Sequence, residues 1–340
     1  MYKNIFNKDE WKRAEHMAVR ETAGWYLFTH QLMEVQGEDA AKFLDHIFPN
    51  PIANLAVGRD RYTTMLNEDG EIIDDVVVLR MDEDRYWVST LYGTKADDWF
   101  YYHSDGFDVD TSEITEDWHM FAVQGPRSAE ALDSVLAEGV SGLRFFEHKN
   151  DSIDGIDVIV NRGGFTGEKL GFEVYCAADD ADAVEEAIAG AVSAVGGREI
   201  TEFQVFAWTL PTEAGFYYMR DLNRTNPFEV GLEKNIDWDK DFIGKAALLK
   251  VKENGPAREM VGFEICDANE DYYIRSKQFG GPGEPVFIDG EEVGRVSKLV
   301  YSYVKNVNNG YILAKKGALR IGDRFTIHGT DCVVTEKRWL

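Results

Sequence analysis

RYTTMLNEDGEIIDDVVVLRMDEDRYWVSTL, residues 61–91, is the stretch from which the fold is read. β-Branched and aromatic residues alternate along it around two turn signals, Asn67–Gly70 and Asp82–Asp84, which is the pattern of an antiparallel meander. Asp75 stands just inside the apolar run ending at Leu79, where a lone carboxylate carries a desolvation cost unless it is bonded or functional. Asp74 points to the other face of the same strand and reads as solvated or structural.

On the N-terminal side, DEWKRAEHMAVRETA (9–23) puts Trp11, Ala14, Ala18 and Val19 near helical spacing behind Asp9, a possible N-cap. On the C-terminal side, DADAVEEAIAGAVSAV (180–195) reads as an amphipathic helix, preceded by a strand over Gly171–Cys176 and stopped by Gly196–Gly197. Strands and helices mix without a regular βαβ rhythm, so the class is α+β. After Gly255–Pro256 the texture turns to short strands with Gly, Asn and Asp turns, and a small all-β unit is expected there. The expected division is a discontinuous unit of residues 1–50 plus 120–255, an inserted meander of residues 51–119 carrying Asp75, and a C-terminal unit of residues 256–340.

With 340 residues, 44% of them hydrophobic, the chain can bury a substantial core. Its 61 acidic residues against 36 basic give a net charge of −25, spread along the sequence, which argues against nucleic acid and anionic lipid as partners. The longest apolar runs fall far short of the roughly 20 residues that cross a bilayer, and the start MYKNIFNKDEWKR is polar, so neither a membrane span nor a secretory signal is expected. Cys176, Cys266 and Cys332 lie far apart with no CxxC pair; they read as buried small hydrophobes in a cytoplasmic protein, and no metal site is expected.

Three longer segments occur in order: EIIDDVVV (71–78), NRGGFTGEKLGFEVY (161–175) and NPFEVGLEKNIDWDKDFIGKAALLK (226–250). Shorter echoes accompany them at AVRETAG (18–24), QGEDAAKFLDHI (36–47), RYTTMLNEDG (61–70) and FAVQGPRSAEAL (121–132). Together they resemble the aminomethyltransferase family, that of the glycine-cleavage T-protein. The resemblance implies a three-domain cloverleaf with ferredoxin-like antiparallel sheets, a C-terminal β-barrel-like domain, and tetrahydrofolate threaded into a central hole.

By the same resemblance, Glu173 grips the pterin as a carboxylate accepting two parallel hydrogen bonds, and Asp75 is the catalytic aspartate that takes or relays the proton lost at folate N5. Tyr62 lies along the pterin, Val77 and Leu79 share the strand face of Asp75, and Arg162 opens the folate-binding loop. Within that loop Phe165 replaces the family's tyrosine, and one residue is inserted before Gly171. His30 falls where the family has a histidine, but in the segment LFTH (27–30). Two stretches of the glycine-cleavage members are missing: F-A-G-W-x-M-P, and G-A-R-D-x-x-R-L-E, in whose place stands QVFAWTLPTEAGF (204–216).

These departures put a demethylase first: an enzyme moving a methyl group from a small O-, N- or S-methylated donor to tetrahydrofolate, with His30, Tyr26 or Tyr217 as candidates for protonating a departing oxygen. Aminomethyl transfer ranks second, because an acidic lipoyl carrier protein would meet like charge on this chain. A non-catalytic folate-binding protein ranks third, since the K-G-C-Y-x-G-Q-E pattern of that branch is absent and Asp75 is present.

Overall fold

The computed structural model describes residues 9–28, 31–266 and 274–339. The chain is α+β. The opening helix forms over Glu10–Glu21, with the Asp9 carboxylate accepting from the Lys12 N–H as its N-cap. Its buried face carries Glu15, His16 and Val19, whereas Trp11 is 57% exposed. The reason lies in Glu15, whose carboxylate accepts from the backbone N–H groups of Thr201 and Glu202, so the face that docks is the one carrying this partner.

The 61–91 stretch forms the expected meander. Strands Asp60–Leu66, Ile72–Arg80 and Arg85–Thr90 pair antiparallel in that order, followed by Gln31–Gln36 and Asp110–Glu113. The strands of this sheet thus begin at residue 31, earlier than the 51–119 segment drawn from the sequence, because Gln31–Gln36 pairs with Arg85–Thr90 across the chain. At the first turn Gly70 takes φ 75°, and the Asn67 side chain accepts from the Glu71 N–H. Val76 and Val78 pack outward under the helices Ala40–Ile47 and Gly93–His103, while Val77 and Leu79 pack inward. Both faces of this strand are covered, which is why its apolar residues run continuously instead of alternating.

A second sheet has the order Arg198–Glu199, Gly24–Leu27, Trp118–Gln124, Gly171–Ala177, Ile156–Asn161, His148–Ile153. The helices Ser128–Asp133 and Ala181–Ala194 cover its outer face through Phe121, Val123, Phe172 and Val174. Its inner face, with Tyr26, Met120, Ala122, Ile159 and Tyr175, packs on Val77, Leu79 and Trp87 of the meander. Gln124 explains Gly164 and Gly171, where a Cβ would fall 2.1 or 2.3 Å from its side chain. That side chain donates to the carbonyls of Gly163 and Phe172 and accepts from Thr166 Oγ1, so it shapes the 164–171 loop from inside.

Strands Pro285–Ile288, Glu291–Ser302, Val307–Lys315, Arg258–Ile265, Thr330–Thr335 and Arg324–Ile327 form the C-terminal sheet in that spatial order, all antiparallel. Its two end strands come into contact, so the sheet is a nearly closed barrel. A buried ion pair, Lys298 Nζ to Asp221 at 2.8 Å, joins it to the short helix Met219–Leu222. A buried cluster of Glu213 with His16, Arg20 and Ser302 joins it to the opening helix.

The 226–250 segment is a clasp. Lys240 donates to the carbonyls of Asp45 and Phe48, which close the C-terminal end of the helix Ala40–Ile47. Gly244, at φ 85°, passes so close to the first meander turn that a Cβ would lie 2.6 Å from the Asn67 carbonyl oxygen. Cys176 and Cys332 are buried as expected; Cys266 is exposed, at the end of its strand, and corrects that expectation. Among the described residues no helix is long and apolar enough to cross a membrane, and no group of His, Cys, Asp or Glu is arranged to hold a metal ion.

Candidate active site

Where the inner faces of the first two sheets meet the segment 203–219, they leave a cavity. Strand alternation delivers Asp75, Val77 and Tyr62 to one wall, with Ser89 and Thr90 beside them. Tyr26, Phe28 and Phe165 come from the second sheet and its loop; Phe203, Phe206, Tyr217 and Tyr218 come from the connecting segment.

Tyr62 donates to Asp75 Oδ2 at 3.0 Å, leaving the rest of that carboxyl to the cavity. Burial, followed by the neighbouring Asp74 charge, raises the pKa of Asp75 to about 7. Asp74 is fully buried on the opposite strand face, so it is structural and not solvated. It accepts from Thr90 Oγ1 and, at 2.9 Å, from the Asp75 N–H, and burial raises its own pKa to about 6.

Glu173 does not line the cavity. It lies two strands from Tyr26 in the cross-strand row Tyr26, Ala122, Glu173, Asn161, His148, a displacement of about 10 Å at ordinary strand spacing. Asn161 Nδ2 at 2.9 Å and Tyr175 OH at 3.2 Å both donate to its Oε2 and leave Oε1 open. Burial, offset in part by the Asn161 bond and reinforced by the Asp60 charge, brings its pKa to about 7. Asp60 enters from the meander and meets His148 Nδ1 at 2.5 Å. Asp60 Oδ2 and Asn161 Oδ1 are buried acceptors with no hydrogen-bond partner among the described residues.

The other expected site residues divide. Leu79 is fully buried in the core below the cavity. Arg162 lies away from it, its guanidinium donating to the Leu143 carbonyl at 2.7 Å. Tyr217 presents its ring, but its hydroxyl donates to the Val230 carbonyl and accepts from Lys337 Nζ at 2.6 Å. Burial raises the pKa of both Tyr26 and Tyr217, which weakens them as acids. His30 falls outside the described residues.

Sequence reasoning missed Phe203 and Phe206. Phe206 belongs to a π-helical turn over Gln204–Thr209, closed by the Leu210 N–H on the Val205 carbonyl, and Phe203 is its N-cap. The available signal was the replacement of an arginine-bearing stretch by an aromatic one. Phe206 stacks on Tyr26 at 4.3 Å between centroids and 13° between planes.

With this geometry in view, residues 2–240 match the family model described as GCVT N-terminal domain. The chain belongs to the aminomethyltransferase family. It is 33% identical to an aminomethyltransferase of Clostridium botulinum (strain Loch Maree) over 321 residues, covering 92% of this chain and 84% of that one. It is 32% identical to an aminomethyltransferase of Thermotoga sp. (strain RQ2) over 324 residues, with the same coverage. The fold is similar to the glycine cleavage system aminomethyltransferase T of Bartonella henselae, with a TM-score of 0.83 at 23% identity over 97% of this chain and 89% of that one.

Members of the aminomethyltransferase family are folate-dependent transferases, and this chain is such an enzyme with tetrahydrofolate as its cofactor. The residues present fit that cofactor: Glu173 Oε1, Asn161 Oδ1 and Asp60 Oδ2 are acceptors awaiting donors, and the pyrimidine edge of a reduced pterin carries donors. The Asp75 pKa has two consequences of opposite sign. Activity that needs Asp75 as a base should rise as pH increases through about 7, measured as kcat/KM against pH. Stability should move the other way. The raised folded-state pKa favours the native protein below the ordinary aspartate value of 3.8, and that contribution is lost as pH climbs toward 7.

Proposed function

We propose that this enzyme takes the carbon of an aminomethyl group borne on a lipoyl carrier protein and passes it to tetrahydrofolate, the reaction class named for its relatives. What supports the reading, beyond family membership, is one observation: Asp75 and Glu173 stand on the two inner sheet faces that pack on each other. In this reading Glu173 accepts from the pyrimidine edge of the pterin, Tyr62 orients Asp75, and Asp75 receives the proton released at the reacting nitrogen. Tetrahydrofolate, when bound, supplies the nitrogen nucleophile that accepts the carbon. The three sheets are taken as the cores of three domains set as a cloverleaf, with the middle unit opening at Gln31 and the C-terminal one after Gly255.

Methyl transfer from a small methylated donor is the second reading, and the aromatic wall of Phe203 and Phe206 in place of arginines favours it. It ranks below aminomethyl transfer for an oxygen-bound methyl group, because Tyr26 and Tyr217 are weakened acids and the Tyr217 hydroxyl is already occupied. Mass spectrometry of the folate product separates the two. Incubation with aminomethyl-lipoyl carrier should yield 5,10-methylenetetrahydrofolate; 5-methyltetrahydrofolate from a methoxyaromatic, methylamine or sulfonium compound, with none from the carrier, would replace the first reading by the second.

A further inference from the structure

On the C-terminal barrel a second groove is lined by five cationic side chains, Arg224, Arg258, Lys277, Arg295 and Lys315, with Glu292 the one carboxylate among its described lining residues. In a chain with 61 acidic residues against 36 basic, this gathering runs against the composition. Three of the five are balanced. Arg258 holds Glu229 through Nε and Nη2 at 2.8 Å each, Arg295 Nε lies 2.8 Å from Glu292, and Lys315 pairs with Glu291. Arg224 and Lys277 form no ion pair among the described residues; the Lys277 ammonium donates to the Asn223 carbonyl at 2.7 Å.

The groove breaks three local rules. Residues 222–225 form a tight turn closed by the Thr225 N–H on the Leu222 carbonyl. Asn223 has φ −53° and ψ 127° and Arg224 has φ 61°, the geometry of a type II turn, whose third position calls for glycine or asparagine. An arginine there carries the strain of the left-handed region, and Arg258 secures it by donating from Nη2 to the Arg224 carbonyl at 2.8 Å. Arg258 and Lys315 are also Cα partners on neighbouring strands, a like-charge pairing that antiparallel sheets disfavour. Lys277 is half-buried, and burial, reinforced by the Arg258 and Arg224 charges against the opposing Asp221 charge, pushes its pKa down.

An anion between Arg224 and Lys277 offsets the charge conflict and gives the strained turn a role. A lone carboxylate is planar and is satisfied by one guanidinium, as Glu229 is by Arg258. Cations converging from separate chain segments suit a group with oxygens on several sides. The long-range field of a chain at −25 repels such a ligand, so its affinity has to come from these local contacts.

We infer that this groove binds a phosphoryl group of a small molecule, held by Arg224 and Lys277 within the cationic rim of Arg258, Arg295 and Lys315. The short helix Met219–Leu222 leads into the turn, and Met219 lines the Asp75 cavity, so groove and cavity share that helix. The inference stands whichever one-carbon donor the cavity takes.

Calorimetric titration of the full chain with inorganic pyrophosphate, at low ionic strength and without folate, tests it; citrate is the carboxylate comparison. Pyrophosphate should bind, more tightly than citrate, and more weakly as salt is added. Arg224→Gly and Lys277→Gln should each lower its affinity by about 10- to 100-fold, the loss of one charge-assisted contact. Glycine is the residue that the turn favours, and glutamine keeps a donor for the Asn223 carbonyl, so both variants are expected to fold. The comparison of pyrophosphate with citrate on the unaltered protein stands even where a variant folds poorly. No binding of pyrophosphate, equal or tighter binding of citrate, or an affinity unchanged in both variants overturns the inference.

Discussion

Asp75→Asn lowers the rate of one-carbon transfer by about 10²- to 10⁴-fold, the range associated with losing a positioned proton acceptor. The fold should survive, because Asn keeps the shape and can still accept from Tyr62, whose hydroxyl lies 3.0 Å from Asp75 Oδ2. Stability should rise at neutral pH, since burial and the Asp74 charge both oppose ionisation of Asp75 and the amide removes that cost. Single-turnover kinetics and thermal denaturation check the two halves separately. An active variant would mean that the proton goes elsewhere; an inactive and unfolded one would assign Asp75 to the core. The variant should also lose the rise of kcat/KM through about pH 7 that is expected of the wild type.

Glu173→Ala should weaken tetrahydrofolate binding by about 10²- to 10⁴-fold, the loss of two hydrogen bonds to a charged group at about 1.5–3 kcal/mol each. Equilibrium binding measures it. Because truncation also leaves Asn161 and Tyr175 without their acceptor, Glu173→Gln is the control. The amide oxygen can still accept from Asn161, so the row should stay ordered while the second acceptor is lost, and affinity should fall to an intermediate value. Unchanged affinity in both variants would move the pterin away from this row.

The meander and the anomaly of Asp75 were legible because both are local. Turn residues and alternation fix the strands, and a carboxylate inside an apolar run stands out against its neighbours. Glu173 was not legible in this way. On its strand it is a single polar residue, and its burial comes from the second sheet packing on the first, so only the family resemblance singled it out. Phe203 and Phe206 escaped notice because the aromatic wall gathers side chains from residues 26–28, 165 and 203–218, and no window along the chain contains it. Arg162 shows the reverse error. Its segment matches the family, but the guanidinium is held at the Leu143 carbonyl, a placement that depends on a loop about 20 residues away in sequence. The pairing of Asp60 with His148 crosses from one sheet to the other and leaves no trace in spacing.

The three longer segments that carry the resemblance have different physical roles. EIIDDVVV puts a cavity-lining face and a core face on one strand. NRGGFTGEKLGFEVY needs Gly164 and Gly171 because Gln124 occupies the space of their side chains, and Gly167 because Ala214 does. NPFEVGLEKNIDWDKDFIGKAALLK closes the structure around the helix end and the meander turn through Lys240 and Gly244. A substitution in the third should therefore act on stability before it acts on turnover.

A crystal structure of the chain with tetrahydrofolate tests the central claim most directly. The pyrimidine edge of the pterin is expected at hydrogen-bond distance, about 2.7–3.2 Å, from Glu173, with its reacting nitrogen turned to Asp75 between the two inner sheet faces. A pterin bound away from both carboxylates would contradict it.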